Sequence, residues 1–300
     1  MTNVWSPSIG FLKAQSCDLA GLGKVSWSFT ELGRSLMPFR YIECHLQVGE
    51  ISARGYAESI GLKNALVKSL AEAWERFWMM KQGREGFGNL LTSNGFAAGA
   101  DLAHAKSRAE EELIERQWIL TAWQSMSGFE RVEILPLRVQ LARLFFIAEG
   151  YNLRFFKVCF HGKSVLAGLA TSTTEGAVFD AVFGLEPEKF IKLSRSLLRA
   201  IVIGRSLNPT TTPYQLPEQG HPADHLRFYR CPRNLVAFDF LNARVPKSFD
   251  AFDHRGIQVE EVYTGGLLPA VARAWHPDWI RLSWGKISIQ GQNPWPHPIA

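Results

Sequence analysis

The chain has 300 residues, 33 Lys and Arg against 28 Asp and Glu, a net charge of +5, 46% hydrophobic and 20% charged residues. This is the balance of a folded globular protein with a substantial core, and it excludes a disordered or low-complexity chain. The mild basic excess suits an anionic ligand such as a nucleotide, and no Lys/Arg block marks a nucleic-acid-binding stripe.

Residues 1–50 mix short apolar stretches with glycines and give weak signals. Apolar spacing predicts amphipathic helices over 62–81 and 101–125, the second with Asp101 as N-cap. A third is expected over 137–148, after Pro136. Residues 154–160 and 164–170 read as strands joined by a turn around Gly162. Residues 174–183 and 187–203 read as helices, the latter with Pro187 at its start. Four prolines and three consecutive threonines over 206–222 predict a loop or linker. Strands are expected over 234–241, 257–263 and 279–290, around a short Ala-rich helix over 269–275. The end, 293–300, carries Pro294, Pro296 and Pro298, which favour an extended polyproline II tail. Mixed helices and strands imply an α/β, or α+β layered, fold.

Cys17, Cys44, Cys159 and Cys231 are scattered without a C-x-x-C pair, so neither a structural zinc site nor a disulfide framework is expected. The stretch Met1-Thr2-Asn3-Val4-Trp5 lacks the charged and apolar regions of a secretory signal. No apolar run reaches the roughly 18 residues of a membrane helix. A cytoplasmic protein is expected. There is no G-x-x-x-x-G-K-S/T loop, and no Ser-His-Asp or Cys-His constellation stands out.

One pattern occurs twice. Glu72-Ala73-Trp74-Glu75-Arg76-Phe77-Trp78 and Glu112-Leu113-Ile114-Glu115-Arg116-Gln117-Trp118 both read E-x-x-E-R-x-W, forty residues apart. Glutamates at i and i+3 share a helix face, with the Arg directly after them. Two such helices side by side would gather four carboxylates and two guanidiniums. Hard oxygen ligands in that number suit Mg2+, which usually arrives with a phosphate. A single E-x-x-E-R stretch is ordinarily a solvated helix face, whereas two copies with matching Trp suggest a duplicated unit. Trp78 and Trp118 are expected in the core.

With these motifs the chain resembles the YcaO family over most of its length. Gly55-Tyr56-Ala57-Glu58-Ser59-Ile60-Gly61 precedes the first motif as a Ser-x-Gly-type turn does there, and Ser93-Asn94-Gly95 with Ala97-Ala98-Gly99 precedes the second. Asp224-His225-Leu226-Arg227-Phe228-Tyr229 and Val236-Ala237-Phe238-Asp239-Phe240-Leu241 look like a downstream signature of the azoline-forming cyclodehydratases. Gly265-Gly266-Leu267-Leu268-Pro269 and the Pro-x-Pro-x-Pro tail complete the likeness. The resemblance implies a single YcaO-like domain over 1–300 with two related helix-bearing halves. It also implies ATP-dependent activation of a peptide backbone amide. In the family a substrate Cys, Ser or Thr attacks the preceding carbonyl, ATP phosphorylates the resulting oxygen, and phosphate leaves to give an azoline. Relatives install thioamides or amidines.

On the resemblance, Glu72, Glu75, Glu112 and Glu115 ligate Mg2+, and Arg76 and Arg116 meet phosphate oxygens of ATP. Ser59, Ser69, Ser93 and Asn94 line the nucleotide pocket, turn formation being the alternative role of Ser59, Ser93 and Asn94. Pro296, His297, Pro298 and Ala300 bring the tail to the reaction centre, with His297 or the terminal carboxylate of Ala300 as acid/base candidates. The alternative for either Arg76 or Arg116 is a helix salt bridge to its own Glu.

The chain departs from the family at three points. Ala100 stands where the family has Asn, His104 where it has Glu, and Lys68 where it has Ser. Only fourteen residues separate Trp78 from Ser93, where family members usually carry an insertion. No ThiF-like or leader-recognition domain is expected. The expected partners are a precursor peptide and a protein acting in trans for leader recognition, with a homodimer left open and neither nucleic acid nor membrane. The alternative to catalysis is a degenerate YcaO-like subunit that binds the peptide or scaffolds an enzyme.

Overall fold

The computed structural model describes residues 10–34, 40–84, 95–160, 163–206, 214–217, 222–242, 256–279 and 295–298. They fall into two compact units, Met1–Leu113 with Arg255–Asp278, and Ile114–His254 with Trp279–Ala300.

In the first unit the weak signals of residues 1–50 conceal long strands. Strands β1 (Gly10–Leu19), β2 (Gly23–Arg34), β3 (Arg40–Val48) and β4 (Ile51–Ser59) form an antiparallel meander in that order. Gly49 closes the tight β3–β4 turn at φ +54°, a conformation that side chains beyond glycine disfavour. Ile42, Cys44, Leu46 and Val48 alternate into the core, as a half-buried strand requires. Helix α1 (Leu62–Arg84) lies on β3 and β4 and inserts Trp74 and Phe77. Strands β5 (Phe96–Gly99), β10 (Gln258–Tyr263) and β11 (Ala270–Trp275) make a second sheet, with β11 in the middle. The Trp74 indole N–H donates to the Pro269 carbonyl at 3.1 Å. Trp118 is buried as expected. Trp78 is only half-buried and stacks on Tyr263 at 5.7 Å.

Glycines set how closely helices approach this unit's strands. A Cβ on Gly55 would overlap the Ser69 carbonyl and the Ala73 amide of α1. A Cβ on Gly99 would overlap the Ala105 amide. Backbone cannot yield as a flexible side chain can. Gly55→Ala is therefore expected to cost about 2–3 kcal/mol in a urea unfolding measurement. An unchanged midpoint would show that α1 is free to shift on the sheet.

Helix α2 (Leu102–Gln124) begins in the first unit and continues in the second from Ile114. In the second unit, β6 (Glu130–Arg131), β7 (Asn152–Phe160), β8 (Lys163–Ser172) and β9 (Gly176–Phe183) form an antiparallel sheet in that order. Helix α4 (Pro187–Ser206) packs on β8 and β9, and α3 (Leu137–Ala148) packs on β7 and α4. Helix α5 (Pro222–Tyr229) and a 3₁₀ segment (Pro232–Asn242) follow. Arg205 joins Glu149 at 2.6 Å and Glu175 at 2.9 Å, and buried Arg230 joins Glu175 at 2.7 Å. These pairs tie the end of α3, the β8–β9 turn, α4 and the end of α5 together. Among the described residues no helix is long and apolar enough to cross a membrane.

Three expected elements differ. The helix expected over 174–183 is strand β9, because Gly176, at φ +75°, turns the chain and Ala177–Phe183 is buried on both sheet faces. A run buried on both faces lacks the alternation that marks a strand. The Ala-rich helix expected over 269–275 is β11, buried on both faces for the same reason. The strand expected over 234–241 is the 3₁₀ segment, where Asn234 donates to the Phe228 carbonyl at 2.7 Å and Phe238 packs on Trp123. Gly162 and residues 280–290 lie outside the described residues.

Candidate functional site

The first E-x-x-E-R copy lies on α1, which presents both glutamates to strand backbone. Glu72 accepts the Tyr56 N–H of β4 through Oε2 at 2.7 Å, and an Arg76 N–H through Oε1 at 2.7 Å. Arg76 also donates to the Arg54 carbonyl at 2.8 Å, and its guanidinium lies 5.6 Å from the Tyr56 ring centre. The helix salt bridge named as the alternative for Arg76 is thus formed.

Glu75 accepts the Ala98 N–H of β5 at 2.6 Å, and Arg108 donates to the Ala98 carbonyl at 2.6 Å. Burial pushes the Glu75 carboxyl up to about 7. Arg108, the Ala98 hydrogen bond and Arg76 pull it back, while Glu72 adds to the rise.

The second copy lies on α2 and repeats the motif's second contact. Glu115 Oε2 accepts the Phe183 N–H of β9 at 2.9 Å. In both copies, then, the second glutamate holds a strand amide. Arg116 lies 4.0 Å from Asp180, whose other oxygen accepts from the Ser196 hydroxyl. Glu112 is on the same helix, one turn before Glu115.

Of the expected pocket residues, Ser59 ends β4 and is half-buried. Ser69 is fully buried and donates to the Leu66 carbonyl at 3.1 Å within α1. Ser93, Asn94 and Ala300 lie outside the described residues.

Where the family carries Asn and Glu, this chain builds a helix cap. Asp101 accepts the His104 N–H at 2.8 Å, and His104 Nδ1 accepts the Ala100 N–H at 3.4 Å. His104 thus occupies the place of the reaching-back residue in a capping box.

In the second unit, residues 295–298 are held by three backbone carbonyls. The Trp123 indole donates to the Trp295 carbonyl at 3.1 Å, the Tyr229 hydroxyl to that of Pro296, and His225 Nδ1 to that of His297 at 2.8 Å. A carbonyl only accepts, so His225 carries its proton on Nδ1. His297 and Pro298 are buried, and the His225 and His297 rings lie 4.5 Å apart.

Sequence reasoning assigned no role to Arg108, Asp180 or Trp123. His225 and Tyr229 sit at i and i+4 inside the downstream signature, which is the spacing that turns both toward one partner. Arg108 stands one turn before Glu112. Asp180 gives no signal, since its strand is buried on both faces and lacks the alternation that marks a strand.

Carboxylates anchored through one oxygen by a strand amide are suited to bind a cation through the other, so Glu75 fits Mg2+. Glu72 fits less well, because it would have to exchange Arg76 for the ion. Among the described residues, no three His, Cys, Asp or Glu side chains gather closely enough to hold a metal.

The layers and the order of elements define an α+β fold, and its likeness to solved YcaO structures shows it to be YcaO-like. Among solved structures, the chain is similar to YcaO from Methanopyrus kandleri bound with AMPPCP and Mg2+. The TM-score is 0.59 at 12% identity, covering 94% of this chain and 91% of that one. It is also similar to the E. coli microcin synthetase McbBCD complex, at TM-score 0.54 and 10% identity over 84% of this chain and 88% of that one. With pro-MccB17 bound, the same complex gives TM-score 0.52 and 13% identity over 82% and 70%. No family model matches the chain, and no curated protein matches it in sequence. At these identities the likeness defines the fold.

Proposed function

We propose that the protein uses ATP and Mg2+ to activate a backbone amide of a ribosomally made peptide, by cyclodehydration to an azoline. The observation that carries this reading is the shared anchoring of the two motifs, Glu75 on the Ala98 amide and Glu115 on the Phe183 amide. A solvated helix face has no reason to repeat a contact to a strand amide. Glu72, Glu75, Glu112 and Glu115 remain the proposed ion ligands. Among the described residues no three of them gather in the ligand-free protein, so binding would have to draw them together, with Glu72 released from Arg76. Bound magnesium supplies charge neutralisation at the transferred phosphoryl. Arg116, 4.0 Å from Asp180, is the proposed phosphate donor. Ser59, Ser69, Ser93 and Asn94 remain the proposed nucleotide-pocket residues, and the tail with His297 the proposed acid/base segment.

The substrate nucleophile adds to the carbonyl carbon, and the carbonyl oxygen becomes the phosphoryl acceptor. The addition forms the ring bond and releases the nucleophile's proton, and ADP leaves as the oxygen takes the γ-phosphoryl. Loss of that oxygen as phosphate, together with the amide N–H proton, forms the C=N bond of the azoline. With an external sulfur nucleophile, the same activation would give a thioamide. A precursor peptide and a protein acting in trans are the proposed partners.

A second reading, a degenerate subunit that binds the peptide or scaffolds an enzyme, is favoured by two observations. Glu72 engages both oxygens with protein donors, and Ala100 with His104 forms a helix cap. Calorimetric titration with ATP separates the readings. Catalysis requires ATP binding that appears with Mg2+ and weakens at least about tenfold without it. Equal heats with and without the ion would leave only the degenerate subunit.

A further inference from the structure

Helix α3 has two apolar faces. Val139, Ala142 and Phe146 are buried toward β7 and α4. On the opposite side, Leu137, Leu141, Leu144 and Ile147 are 72, 53, 60 and 64% exposed. Leu137, Leu141 and Leu144 follow the i, i+4, i+7 spacing of a helix-packing seam. Ile134, just ahead of the helix, is 90% exposed. At 100° per residue, Arg138 and Arg143 fall on either flank of the seam. Between Leu137 and Ala148 there is no acidic residue.

We infer that this face docks an amphipathic helix of a partner protein, with Asp or Glu on both flanks of its apolar stripe. Three features select that occupant. The seam exposes on the order of 300 Å² of apolar side chain, within the range of functional patches. That falls well short of the roughly 800 Å² per partner of a standard interface, and it suits one helix rather than a whole subunit. A second copy of this chain, docked through the same face in either direction, would set Arg against Arg. A lipid surface is less favoured, since a twelve-residue helix with two cations gives weak interfacial binding. Docking here is independent of Mg-ATP binding, so the two readings fail separately.

The probe is a synthetic helix of about 21 residues, with Leu at its seam and Glu at its flanks, and a matched peptide with Lys at the flanks. Fluorescence anisotropy with the full chain should show the Glu peptide binding about tenfold tighter than the Lys peptide. Leu141→Glu with Leu144→Glu should abolish binding of both. Arg138→Glu with Arg143→Glu should invert the preference between them. All four positions are exposed or half-buried, so circular dichroism should report an unchanged fold. Equal binding of the two peptides, or no binding, overturns the inference. So does a dimer in sedimentation velocity that the Leu141→Glu, Leu144→Glu variant dissociates, or capture by phosphatidylserine vesicles that this variant loses.

Discussion

Replacing Glu75 by glutamine is expected to stabilise the ligand-free protein above pH 7 while weakening Mg-ATP binding. Glutamine keeps a carbonyl oxygen for the Ala98 N–H and deletes the crowded charge. Arg108 is exposed, so its guanidinium stays solvated without the carboxylate. The sign follows from the raised carboxyl. Its value is about 7 when folded against 4.5 for the free side chain, so the folded state binds more protons between these values. That contribution is fully present below 4.5 and is lost as pH rises through about 7, by roughly 3 kcal/mol. Glu75→Gln should flatten this part of the stability–pH profile. Loss of a charged ligand should weaken Mg-ATP by about a hundredfold. A variant that is less stable than the parent above pH 7 would make Glu75 a structural carboxylate and remove it from the ion site.

This opposition of signs is what distinguishes a carboxylate kept for binding from one kept for folding. Glu72 is the internal contrast. Its partners, the Tyr56 amide and Arg76, stabilise its charge, and such a group is expected to destabilise the fold when neutralised. The same E-x-x-E-R stretch therefore holds one carboxylate satisfied by the protein and one crowded by it.

The four long helices, α1 to α4, are legible because their signals are local, whereas the short α5 is not. Helix α3 has the expected bounds, and Asp101 caps α2 through the predicted contact. Strand β9 was not legible, because its apolar run is buried on both faces and only pairing with β8 decides its form. The duplicated motif was plain in the sequence, but its anchoring was not. The Phe183 amide that Glu115 holds is 68 residues away, and nothing at either end signals the other. Likewise the prolines announced an extended tail, while the three groups that hold it, Trp123, His225 and Tyr229, lie 67 to 172 residues from their carbonyls.

Deleting residues 295–300 is expected to destabilise the second unit by about 3–6 kcal/mol. The tail satisfies three buried donors, the Trp123 indole, the His225 imidazole and the Tyr229 hydroxyl. Each buried donor left without its acceptor costs about 1–3 kcal/mol, less where water enters. Activity lost on deletion would then report unfolding rather than chemistry. His297→Asn separates the two, because His225 holds the backbone carbonyl at 297 and not the side chain. This variant should unfold within about 1.5 kcal/mol of the parent, since the anchor remains and the volume change is small. If the tail acts in acid/base catalysis, peptide conversion should fall by about a hundredfold or more with Mg-ATP binding unchanged. Full conversion by His297→Asn would leave the tail a structural strap and move the search for the proton donor elsewhere.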